Sequence, residues 1–227
     1  MCPGDTCFPG FSPRPGAPRG VLTAAATTCA VTGATLLAVA FTPHAGPPPR
    51  PVNAERAPAG ETPAQPPQTP PRAGLSPSPP TRITVPGVGL EAAVDQVALE
   101  ESGAIALPQD PDHAGWYTGS PTPGQNGNAI LVGHVDSRDG PAAFYRLGAV
   151  KKGDHIEVNR QDGRTTTYEV DSISIWPQND FPSQHVYGPT TGPRITLITC
   201  ADWDDERKTY TSNLVVTARP TSRQPSA

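Results

Sequence analysis

Two side chains in this sequence have the types needed for covalent chemistry with an acyl group. The stretch "RITLITCADWDDERKTY", Arg194 to Tyr210, runs a short apolar strand into Cys200 and then into an acidic, turn-prone segment. The stretch "AILVGHVDSRDG" delivers His134 in the same manner, at the C-terminal end of an apolar strand where the chain turns polar. A thiol becomes a nucleophile as its thiolate, and a histidine is the side chain best suited to exchange the protons that such a reaction moves. It can also protonate a departing amine.

Each residue has a plainer reading. A cysteine is often a small buried core residue, and a histidine at a strand end is often a surface or loop residue. Three further histidines, His113, His155 and His185, share the same half of the chain. The other cysteines do not: Cys2 and Cys7 lie at the N-terminus and Cys29 in an apolar run. Cys200 therefore has no partner cysteine within its own domain. Outside the cytoplasm an unpaired thiol is exposed to oxidation and exchange, so its presence calls for a reason.

The elements around these residues divide the chain into five parts. Residues 1–19 form an N-terminal stub. Residues 20–41, "GVLTAAATTCAVTGATLLAVAF", carry no charge and are long enough to span a bilayer as one helix. Arg14 and Arg19 precede this run and orient the stub towards the cytoplasm. The expectation is a single-pass membrane anchor. The small residues Ala38–Ala40 keep a cleaved signal peptide open as the alternative. In either case the remainder of the chain is extracytoplasmic.

Residues 42–80 read as a disordered proline-rich linker, too poor in large apolar side chains to offset its ordering entropy. It holds much of the protein's complement of 31 prolines, and such a sequence makes a semi-rigid spacer. Residues 81–220 are long enough for one core, and residues 221–227 read as a tail. The net charge of −4 gives no electrostatic support to nucleic-acid binding.

Within residues 81–220 the signals are those of β-structure. "TRITV", "GNAILVGHV", "DHIEVNR", "RTTTYEVDSISIW", "RITLITC" and "NLVVTA" are short runs rich in Val, Ile and Thr. Asp162-Gly163 between two of them predicts a hairpin. Only "PAAFYRLGAV" predicts a turn or two of helix. Many short strands separated by Gly and Pro imply an all-β sandwich or closed barrel.

The residues also match a known family. "TLITC", Thr196 to Cys200, resembles the cysteine signature of the sortases, and "LVGHVDS", Leu131 to Ser137, resembles their histidine-bearing strand end. With "FYRL" at Phe144 to Leu147 and "FPSQHVYGPT" at Phe181 to Thr190, the sequence is most similar to the actinobacterial class F sortases. That resemblance implies a closed eight-stranded β-barrel with short helical turns, tethered to a membrane. It also implies a cysteine transpeptidase that needs no cofactor and no metal.

In that scheme Cys200 attacks a Thr–Gly-type bond of an LPXTG-like sorting signal and forms a thioacyl enzyme. His134 serves first as acid and then as base. The acceptor amine belongs to a cell-wall precursor or a pilin lysine. Thr199 is a candidate contact to substrate, with a strand-filling role as its alternative.

Sortases also use an arginine on the strand after the cysteine to steady the oxyanion. In class F relatives it falls in a "YRDN"-like stretch, whereas "YTSN", Tyr210 to Asn213, puts Thr211 in its place here. Arg207 is the nearest replacement, ahead of Lys208, which lacks the planar fork of a guanidinium, and of Arg194 and Arg219. The acidic cluster Asp202, Asp204, Asp205 and Glu206 matches no calcium-loop spacing. Two alternatives stand beside the transpeptidase. One is a cysteine hydrolase with the same Cys–His pair, and the other an inactive surface module that keeps the fold.

Overall fold

The computed structural model describes residues 48–51, 55–56 and 74–221. The expected membrane segment at 20–41 lies outside them. Among the described residues no helix is long and apolar enough to cross a membrane.

Eight strands close on themselves. In chain order they are β1 (Pro80–Val85), β2 (Leu90–Val97), β3 (Ala114–Tyr117), β4 (Gly127–Gly133), β5 (His155–Arg160), β6 (Thr165–Pro177), β7 (Pro193–Asp204) and β8 (Thr209–Pro220). Around the barrel the order is β6-β8-β7-β4-β3-β2-β1-β5, and the pairing of β5 with β6 completes the circuit. Closure leaves no long free edge, which is how an all-β domain avoids pairing with other chains. The hairpin predicted at Asp162-Gly163 joins β5 to β6, and Gly163 takes φ +79°, a conformation that favours glycine.

Alternation along the strands separates two apolar faces. One side of β7 and β8, with Leu197, Leu214 and Val216, points into the barrel and meets Phe144, Leu147 and Tyr168 there. The other side, with Ile198 and Val215, joins Ile130 and Val132 of β4 and Trp176 of β6 on the outer face. A single-turn helix α1 (Ser183–Tyr187), in the connection from β6 to β7, lays Val186 onto this outer cluster. A polar pin holds it there: the Asn128 side-chain amide donates to the Val186 carbonyl at 2.8 Å.

Two stretches stand out where the barrel is less regular. "PAAFYRLGAV" forms the expected short turn, a 3₁₀ helix at Tyr145–Ala149. The other lies in the region read as a disordered linker. Glu55–Arg56 pairs in parallel with Ser174–Ile175 on the half of β6 that extends past β5. Pro48–Pro51 lies across the same end of the barrel.

Candidate functional site

β4 and β7 run parallel and in register from Gly127 opposite Pro193 to Val132 opposite Ile198. One step further, the Thr199 hydroxyl donates to the Gly133 carbonyl at 2.8 Å. β7 does not end at Cys200, as the sequence suggested, but continues to Asp204, so Cys200 within β7 lies beside His134, the first residue past β4. On the other flank Cys200 stands directly opposite Asn213 of β8, and Asn213 in turn opposite Trp176 of β6. Strand alternation puts Cys200 on the face of Ile198, and Asn213 on the face of Val215. These are the same outer face.

The backbone that carries His134 is fixed by the chain that follows it. Phe144 N–H donates to the His134 carbonyl at 2.8 Å and Ala142 N–H to the Val135 carbonyl at 3.2 Å. Glycine is required at 133 for this approach, because a Cβ there would lie 2.7 Å from the Phe144 ring.

The half-buried His134 ring places Nε2 3.0 Å from the Pro108 carbonyl oxygen. A carbonyl only accepts, so Nε2 carries the proton and donates it. In the neutral ring Nδ1 is then the nitrogen that can take up a proton.

Cys200 is 3% exposed and packs with Val135 and Tyr210. It borders a cavity of about 390 Å³ whose wall also includes Thr199, Asp202, Trp203 and Tyr210. The Tyr210 hydroxyl donates to Asp136 at 2.7 Å, which ties β8 to the segment after His134.

Two features of this cavity were not anticipated. Cys200 is disulfide-bonded, and no second cysteine lies among the described residues. The expected unpaired thiol is thus present in oxidised form, and a thiolate is available there only after reduction. The second feature is the strap Pro48–Pro51, which closes one side of the cavity. Its Arg50 lies 3.6 Å from Asp202. The fit is close: a Cβ added at Gly148 would collide with the Pro49 carbonyl oxygen.

The remaining sequence candidates are distributed unequally. Thr199 borders the cavity, but its hydroxyl proton is committed to Gly133, so towards a bound substrate its oxygen can only accept. Arg207 does not line the cavity. It sits on the β7–β8 turn with its side chain 74% exposed and donates to Asp204 at 2.6 Å. Its backbone N–H donates to the same carboxylate, and that bond is the largest influence holding Asp204 below the ordinary carboxylate range.

Thr211, in the place of the family's arginine, donates its hydroxyl to the Asp202 carbonyl at 3.0 Å. Lys208 pairs with Asp205 on the same turn, while Arg194 and Arg219 both pair with Asp171. Among the described residues no group of three or more His, Cys, Asp or Glu side chains could hold a metal ion.

A family profile described as a sortase domain matches residues 83–221, more than half of the chain. The chain belongs to the sortase family. No curated protein matches it significantly.

Among solved structures, sortase A from Corynebacterium diphtheriae is 24% identical with a TM-score of 0.50. That match covers 66% of this chain and 64% of the other, so the likeness spans a little under two thirds of the relative's length. Sortase A of Listeria monocytogenes is 25% identical with a TM-score of 0.47, covering 65% of this chain and 89% of that one. Sortase C-1 from Actinomyces oris is 21% identical with a TM-score of 0.47, covering 63% and 73%. The closed eight-stranded all-β barrel is the sortase fold, as the sequence implied. Assignment to class F finds no support among these relatives.

Proposed function

We propose that this sortase-family protein is a cysteine transpeptidase. Reduced Cys200 cleaves an LPXTG-like sorting signal and passes its acyl group to an amine. The observation that carries the reading is the placement of Cys200 and His134 at neighbouring positions along adjacent, register-locked parallel strands.

In the first step the Cys200 thiol passes its proton to His134 Nδ1, and the resulting thiolate adds to the carbonyl carbon of the scissile bond as the carbonyl π pair moves to oxygen. Collapse of the tetrahedral adduct re-forms the carbonyl and expels the amine, which takes a proton from the His134 imidazolium. In the second step neutral His134 removes a proton from the incoming amine. That amine attacks the thioester, and the thiolate leaves. The nitrogen in play on His134 is Nδ1, because Nε2 is held by Pro108. The acceptor is an amine of a cell-wall precursor or a pilin lysine, and residues 20–41 anchor the enzyme in the membrane with its barrel outside. Class F membership belongs to the same proposal and rests on sequence resemblance.

The replacement of the family's arginine by Thr211 favours one second reading, an inactive module that keeps the fold. Mass spectrometry of the reduced protein with sorting peptides separates the two. A transpeptidase yields a thioester on Cys200 and, with an added amine, the ligated peptide. A hydrolysed peptide with no ligation product marks a hydrolase. No adduct at all marks the inactive module.

A further inference from the structure

Asn213 has no role in the scheme above, yet it occupies a singular position. It is the cross-strand partner of Cys200 and shares its face of the sheet. Its side chain is almost entirely buried, at 2% residue exposure, and its Oδ1 has no hydrogen-bond partner. An unpaired polar atom in such a place is destabilising, so buried polar groups of this kind call for a reason. The cost would vanish if position 213 carried an apolar side chain like its neighbours on the outer face, Ile198 and Val215.

We propose that the Asn213 carboxamide is the oxyanion-binding group of this enzyme and supplies the hydrogen bond that the absent arginine would give. The inference rests on the transpeptidase reading and deepens it. A half-turn about the Cβ–Cγ bond exchanges Oδ1 for Nδ2, which turns the unpaired position into a donor. When the Cys200 sulfur bonds to the carbonyl carbon, the C=O π pair becomes a negative charge on oxygen. Nδ2 donates to that oxygen until the carbonyl re-forms and the amine departs. The position left unpaired in the resting protein holds an acceptor. Once the carboxamide turns to place Nδ2 there, the new donor is satisfied only by the developing charge and so stabilises the transition state selectively. The other polar side chains near Cys200 are less suited. Thr199 has committed its proton to Gly133, Thr211 has committed its own to Asp202, and Arg207 is turned out to Asp204.

The test uses the full chain reduced with a phosphine. A peptide aldehyde carrying the acyl half of an LPXTG-like signal is the probe. Cys200 adds to it to give a hemithioacetal, in which a C–S bond forms, the carbonyl becomes an alkoxide that takes a proton from His134, and nothing leaves. Asn213→Leu and Asn213→Ala are expected to weaken aldehyde binding and lower kcat by about 10²–10³-fold, with KM for the sorting peptide little changed. Alkylation of Cys200 by iodoacetamide creates no oxyanion and should proceed at the wild-type rate. Asn213→Leu should also melt no lower than wild type, since it removes an unsatisfied buried atom; Asn213→Ala covers the case in which leucine does not fit.

Unchanged aldehyde affinity and kcat in a folded variant would overturn the inference while leaving the transpeptidase intact. A slowed iodoacetamide reaction that matches the loss of kcat would overturn it too, by showing that Asn213 merely positions the thiol. A reduced wild-type protein that alkylates normally but takes up neither aldehyde nor sorting peptide would sink the transpeptidase reading and this inference with it.

Discussion

The Thr199 hydroxyl and the Gly133 carbonyl meet at 2.8 Å, one residue before the two side chains that carry the proposed chemistry. This bond extends the β4–β7 register one step past Val132–Ile198, and so sets the offset of Cys200 from His134. Thr199→Val keeps the shape of the side chain and deletes the bond. It should cost about 1–2 kcal/mol of stability, measurable in denaturant. It should also lower kcat by about 10–100-fold with KM preserved, because sub-ångström placement of reacting groups is what it loosens. A Thr199→Val protein with reduced stability and undiminished kcat would show that the register survives without the hydroxyl.

His134 and Cys200 should separate cleanly by mutation. Cys200→Ala abolishes the trapped thioester, and ligation retained by that variant would refute the mechanism. His134→Ala should still form some adduct but turn over about 10²–10⁴-fold more slowly. The Nδ1 assignment adds a finer expectation. In ¹⁵N spectra of the neutral ring, Nε2 should carry the proton. The opposite tautomer would mean that the Pro108 contact does not orient the ring.

Much of this was legible in the sequence. Cys200 and His134 stand out because each ends a run of β-branched and apolar residues, and the hairpin glycine at 163 marks the turn between β5 and β6. The all-β class followed from the same runs, which left sandwich and barrel open; the closed eight-stranded barrel came from the resemblance to the sortases. Two strands did not announce themselves: β2, "LEAAVDQV", has alanines and acids of low strand propensity, and β3, "AGWY", is only four residues long. Both are made by their neighbours, since β1 flanks β2 and β4 flanks β3. Asn213 was invisible for a different reason. Its significance lies in what stands opposite it and in a missing hydrogen bond, and neither is a property of local sequence. The seating of Pro48–Pro51 was likewise hidden, because composition reports whether a segment can fold by itself and not whether a partner surface holds it.

Arg207 was the nearest guanidinium in sequence, and its replacement provides a direct test. Arg207→Ala should leave kcat/KM within about twofold, as surface pairs of this kind contribute little. Asp204 should also stay acidic in the variant. The largest influence lowering its pKa is the Arg207 backbone N–H, with the Glu206 N–H and then the guanidinium behind it and slight burial opposing them. Alanine keeps both N–H groups. NMR titration of Asp204 that returned an ordinary carboxylate value would assign the effect to the side chain instead. A large drop in turnover would restore Arg207 as an active-site group.

His113 anchors the start of β3 against β2 through a bond from Nδ1 to Asp95 at 2.9 Å. That bond, opposed by slight burial and aided by the charges of Asp95, Asp110 and Asp112, raises its pKa above the ordinary 6.5. A histidine whose folded pKa is raised stabilises the protein fully below its unfolded value, and the contribution fades as pH rises through the folded value. The difference in Tm between wild type and Asp95→Asn should therefore be positive near pH 5.5 and shrink to nothing by about pH 9. A gap that is constant over this range would mean that the pair acts through its neutral hydrogen bond alone.

The strap makes the last prediction. Pro48–Pro51 closes the Cys200 cavity on one side, and Glu55–Arg56 fastens the following chain to β6. His134 and Asn213 do not line this cavity, but a sorting peptide that approaches the Cys200 sulfur through it competes with the strap. Gly148→Ala pushes a methyl group into the Pro49 carbonyl and should displace the strap without touching Cys200, His134 or Asn213. In reduced protein it should raise the rate of Cys200 alkylation and lower KM for the sorting peptide several-fold, with kcat little changed. Arg50→Ala should move both quantities the same way but less, because its pairing with Asp202 is long and largely solvent-exposed on the arginine side. If Gly148→Ala leaves alkylation and KM at wild-type values while the barrel stays folded, the strap does not limit access to the sulfur.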